Sequence, residues 1–169
     1  MMTKNLRGFT LIELVLNSII AIIVIAFITS FFLNTIISKQ QFLMREELDY
    51  STQFSHDQIL HYLKQATTID LANSTLGGSP GKLTFSTGNS SINPVVIDTS
   101  NGNLRVKRST GTAQSIITGR AKVSNLTFTY STPNNSSGII TGSYTLQSLN
   151  ESTLQRTEHF SVNLRTNTP

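Results

Sequence analysis

Between Glu13 and Lys39 the chain runs for 25 residues, 14–38, without a charged side chain. Fourteen of the twenty residues 14–33 are Leu, Ile, Val or Phe. Each such residue favours the bilayer centre by about 0.3–0.6 kcal/mol, and together they outweigh Asn17, Ser18, Thr29 and Ser30. A helix of about 20 apolar residues crosses the hydrocarbon core. The run therefore predicts a membrane-spanning helix, with Lys4 and Arg7 before it holding that end on the cytoplasmic side. The rest of the chain is then exported. A secretory signal peptide fits poorly: its apolar core is about 7–15 residues and is followed by a small-x-small cleavage site. Here the run is longer, and no such site precedes the polar segment from Lys39.

A plain signal anchor explains the run and its basic flank but leaves Glu13 unaccounted for. A carboxylate within a span costs a few kcal/mol at the centre and less near the edge, and marks a function by default. Asn17 and Ser18, the next polar residues, read first as small groups tolerated near a helix end and second as hydrogen-bonding groups between packed helices.

No Gly or Pro occurs from Phe9 to Leu76, so no strong breaker interrupts a helix there. From Lys39 the pattern becomes amphipathic. Ile59, Leu63 and Ala66, with Leu60 beside them, form one apolar stripe, whereas Arg45, Glu46, Glu47, Asp49, Asp57 and Lys64 read as solvated. The expectation is one helix from about residue 10 to about 66, with 39–76 as its amphipathic second half.

Leu76-Gly77-Gly78-Ser79-Pro80-Gly81 breaks the helix and opens a Ser-, Thr- and Asn-rich region of short β-like runs. Strands are expected near 82–86, 94–98, 104–108, 123–130, 143–149 and 160–164, with Asn101-Gly102 as a hairpin turn. Residues 77–169 thus predict an exported β-rich domain: an antiparallel sheet covered on one face by the helix, an α+β fold.

The chemistry-bearing residues are sparse. His56, His61 and His159 lie apart, and no metal-ligand, nucleophile-elbow or phosphate-loop pattern occurs. There is no Cys and hence no disulfide framework. The formal charge is +4, with Arg105, Lys107 and Arg108 as the densest basic group, a weak footprint for nucleic acid. No catalytic residue, cofactor or metal site is expected, and a tethered enzyme is disfavoured.

Arg7-Gly8-Phe9-Thr10-Leu11-Ile12-Glu13, behind a short basic leader and ahead of a long apolar helix, resembles the processing site of the type IV pilin and type II secretion pseudopilin superfamily. The resemblance is close over residues 1 to about 40. It implies a ladle of one long helix against a β-sheet domain, a leader at 1–8 removed after Gly8 by a membrane-embedded prepilin peptidase, and N-methylation of Phe9. It further implies that Glu13 pairs with the Phe9 amine of a neighbouring subunit in a filament. An α-amino group is mostly cationic at neutral pH, and a buried charge is relieved only in the register that pairs it. The implied partners are the peptidase/methyltransferase, other pilin or pseudopilin subunits, an inner-membrane assembly platform and membrane lipid, without direct nucleic-acid binding. Without Cys or a calcium loop, and with Val-x-Asn-Leu-x-Phe at 123–128, the chain is most similar to minor subunits of the J type in secretion or the W type in pili. The competing reading is a signal-anchored surface-binding domain that does not polymerise.

Overall fold

The computed structural model describes residues 10–132 and 138–164. A helix, α1 (Leu11–Leu63), is followed by β1 (Ala66–Ile69), β2 (Leu83–Thr87), a 3-10 turn (Ser90–Ile92), β3 (Val95–Ser100), β4 (Asn103–Arg108), β5 (Gln114–Ser115), β6 (Ala121–Ser131), β7 (Ile139–Ser148) and β8 (Gln155–Asn163). The fold is α+β. The chain divides into two compact units between Leu43 and Met44.

In the first unit the described residues belong to α1 and its cap. Their large apolar side chains are all exposed, from Val15 at 47% to Leu11 at 83%. The segment from Leu11 is long and apolar enough to cross a membrane once. Three of its hydroxyls bond back inside the helix: Ser18 Oγ donates to the Leu14 carbonyl, Thr29 Oγ1 to Ile25 and Thr35 Oγ1 to Phe31, each at 2.9 Å. A hydroxyl folded back on its own helix can enter lipid without leaving a donor unpaired.

The second unit packs the remainder of α1 against two antiparallel sheets. One has the order β1-β2-β3-β4-β5 and the other β6-β7-β8. The helix buries Leu48, Ser51, Thr52, Ser55, Ile59 and Leu63. These recur at three- and four-residue steps, the spacing that keeps one face of a 3.6-residue helix inward. Ile59 and Leu63 meet a core that includes Phe85, Ile97, Leu104, Phe128, Ile140 and Leu146.

Local sequence sets the sheet geometry at two points. Ser100 pairs with Asn103, so β3 and β4 are joined by Asn101 and Gly102 alone, at φ 52° and 75°. Two positive φ values in a two-residue loop are what a type I′ hairpin needs, and Asn-Gly supplies them. In β6 the register slips between Ser124 and Thr127, where Asn125 sits at φ 55°. This bulge inserts one residue, so Leu126 and Phe128 face the core with Val123 although the strict alternation is broken.

The structure corrects three expectations. The helix ends at Leu63, not near 66 or 76, and Ala66–Ile69 is a strand paired with β2. Ala66 is buried as expected, but from a strand. The β-region forms two sheets rather than one. The strand expected at 160–164 begins at Gln155, because β8 keeps pairing with β7 through polar residues. The breaker at 76–81 serves as an edge cover: Gly77 N–H donates to the Phe128 carbonyl at 2.8 Å and Gly81 N–H to Leu126 at 2.7 Å. A Cβ on Gly81 would stand 3.0 Å from that Leu126 oxygen, which accounts for glycine there. A covered edge removes a template for aggregation.

Candidate functional site

Lys4, Arg7, Gly8 and Phe9 lie outside the described residues. Glu13 lies within them, in the first turn of α1. Thr10 precedes the helix as its N-cap: its Oγ1 accepts from the Glu13 amide at 3.4 Å and donates toward Glu13 Oε2 at 3.5 Å. These long contacts have the Thr-x-x-Glu layout of a capping box. A carboxylate in the first turn also faces the positive end of the helix dipole. Both side chains are exposed, so the Glu13 carboxylate remains open to a cation from another molecule. Asn17 is one turn further on and makes no side-chain hydrogen bond among the described residues.

The second unit holds a polar constellation that the sequence reading did not single out. Tyr144 is fully buried, and its hydroxyl lies 2.9 Å from Ser55 Oγ and donates to the Thr52 carbonyl at 3.3 Å. Ser55 Oγ in turn donates to the Thr52 carbonyl at 2.9 Å, and the Thr118 amide donates to Ser51 Oγ at 3.1 Å. Burial pushes the Tyr144 phenol well above its ordinary range, against the opposing effect of the Ser55 hydrogen bond. The network therefore holds a neutral phenol and ties the helix to β7 at one axial position. Its sequence signal was present: Ser51, Thr52 and Ser55 fall between Leu48 and Ile59 on the inward stripe.

Three contacts flank this network. Arg156 Nε donates to Asp49 Oδ1 at 2.8 Å, Arg120 meets Glu47 at 3.3 Å, and His56 Nδ1 stands 3.9 Å from Glu158 Oε2. The Asp49 carboxylate raises the Arg156 guanidinium above its ordinary value, through the hydrogen bond first. Away from the helix, Arg105 grips Asp98 through Nε and Nη2, both at 2.9 Å, as a bidentate cross-strand pair. His61 bonds Gln65, and His159 on β8 stands opposite Ser143 on β7. Among the described residues no three His, Cys, Asp or Glu side chains gather as a metal site would require.

No family model, curated protein or solved structure matches this chain. The chemistry the described residues offer is a carboxylate at the head of an exposed apolar helix, and, in the second unit, a buried network of Tyr144, Ser55 and Thr52 that joins α1 to β7.

Proposed function

We propose that the chain is a structural subunit of a filament of the type IV pilus or type II secretion pseudopilus kind, a minor subunit held in the inner membrane by α1 before assembly. The observation that carries this reading is Glu13: an ionisable group at the start of a helix whose large apolar side chains from Leu11 to Leu43 are exposed among the described residues. A helix that leaves lipid for a protein assembly needs other helices to cover it, and a charge at its head makes the packing depend on register. In this reading Lys4 and Arg7 belong to a leader cut after Gly8, Phe9 becomes a methylated N-terminus, and its amine is the cation that Glu13 of a neighbouring subunit meets. The partners are the peptidase/methyltransferase, other subunits and an inner-membrane assembly platform. The domain carries no catalytic role.

The Thr10–Glu13 cap favours a second reading, in which Glu13 only starts the helix of a non-polymerising anchored domain. Two substitutions separate them. Gln serves at the third position of a capping box but carries no charge. If Glu13 pairs with an amine, Glu13→Gln and Glu13→Ala both reduce co-purification with other subunits by about tenfold or more, as loss of a charged hydrogen bond of about 1.5–3 kcal/mol predicts. If Glu13 is a cap alone, Glu13→Gln leaves every assembly property unchanged.

A further inference from the structure

Tyr50 and Phe54 belong to the stretch of α1 that packs on the sheets, yet they are 63% and 41% exposed. Their rings stack, with centroids 6.3 Å apart and planes 10° from parallel. At about 100° per residue both point away from the stripe of Leu48, Ser55 and Ile59 that the domain covers. Tyr50 follows Ser38 by twelve residues, more than three helical turns past the end of the charge-free run. Phe42 and Leu43, 65% and 51% exposed, lie between, and Arg45, Glu46, Glu47 and Asp49 then set the pair in charged surroundings that the membrane segment lacks. Exposed aromatic clusters with a polar rim mark binding surfaces.

The rim is acidic. Glu46 and Asp57 are exposed and fall on one flank of the pair, with Gln53 between them. Neither enters an ion pair among the described residues, whereas Glu47 and Asp49 on the same helix are engaged by Arg120 and Arg156. Lys64, two turns beyond Asp57, is the nearest cation further along that flank.

We propose that Tyr50 and Phe54 dock an amphipathic helix of a different protein, apolar along one stripe and bordered by Lys or Arg. Apolar anchors spaced four residues apart suit a helix laid alongside, and aromatic faces accept a neighbouring cation. The free carboxylates oppose an anionic lipid surface. They also oppose a second copy in the same register, which would set Glu46 and Asp57 against their own counterparts. The surface serves a filament subunit and an anchored binding domain equally, so the inference stands apart from the filament reading.

The test places a photoreactive phenylalanine at position 50 of the full chain in its native membranes, followed by irradiation and mass-spectrometric mapping of the adduct. The expected result is attachment to a helical segment of another protein with at least two Lys or Arg within about one turn of the attachment point. The double substitution Glu46→Arg with Asp57→Arg should lower the yield about tenfold or more with an unchanged melting temperature. If that variant melts differently, the unsubstituted surface should lose yield in about 0.5 M salt, where exposed charges are screened. An adduct with phospholipid, with a second copy or with a segment lacking basic residues overturns the proposal. So does no adduct, or a yield indifferent to both charge reversal and salt.

Discussion

The two stretches of α1 invert each other. From Leu11 to Leu43 the large apolar side chains are exposed. From Leu48 to Leu63 half of the six buried side chains bear hydroxyls: Ser51, Thr52 and Ser55. One backbone geometry serves both, so helix propensity does not separate them. What separates them is the partner. The second stretch has the domain's own sheets and can afford polar contacts because Tyr144 and the Thr118 amide satisfy them. The first has no such partner among the described residues, and it is long and apolar enough to cross a membrane. Apolar content along a helix therefore reports what will cover it, not whether it is buried in its own fold.

This contrast can be broken by matched substitutions. The largest expected effect is Ile59→Ala, which removes a fully buried side chain and should destabilise the domain by about 2–5 kcal/mol. Ile25→Ala, in the exposed stretch, should leave domain melting unchanged in the same detergent. A loss of domain stability from Ile25→Ala would mean that the first stretch is supported by the domain after all. A smaller effect is expected from Tyr144→Phe, read as a pH profile. The phenol is held neutral in the fold with a raised pKa, so its contribution is complete below the unfolded value of 10.0 and is lost as pH rises above it. The native protein should weaken in alkali from about pH 10, and Tyr144→Phe should flatten that decline. The smallest effect belongs to Asp70, remote from the helix contrast. Its carboxylate accepts from the Asn73 side-chain amide at 2.7 Å and the Asn73 backbone at 3.1 Å, which lower its pKa, the side-chain bond first. A lowered carboxylate stabilises above its unfolded pKa and loses that contribution as pH falls through the folded one. Asp70→Asn should thus slightly reduce the acid sensitivity of melting.

Much of this architecture is written locally. The charge-free run, the Asn101-Gly102 hairpin and the runs of β2, β3, β4 and β6 each follow from short-range chemistry. The end of the helix is not written so plainly. Between Leu63 and Leu76 no Gly or Pro interrupts the chain, and the decision is made by β2, whose Thr87 pairs with Ala66 from 21 residues away. Thr67, Thr68 and Ile69 are β-branched, a local hint that the apolar step from Ile59 to Ala66 obscured. The division into two sheets depends equally on distant contacts: Gly77 and Gly81 take the Phe128 and Leu126 carbonyls of β6, where a further strand would otherwise pair. Of the candidate site, Glu13 was legible because a charge beside an apolar run stands out. Ser51, Thr52 and Ser55 were marked only by their place on the inward stripe, because hydroxyls in a Ser- and Thr-rich chain carry little contrast until Tyr144 is seen to meet them.

The most direct test of the account is the intact mass and N-terminal residue of the protein taken from membranes of cells with an active prepilin peptidase. A chain beginning at Phe9 and heavier than its sequence by one methyl group is the predicted result, for it removes Lys4 and Arg7 and creates the amine that Glu13 is proposed to meet. A chain that still begins at Met1 or Met2 would contradict the filament reading and leave α1 as a simple anchor, with Glu13 as its helix cap.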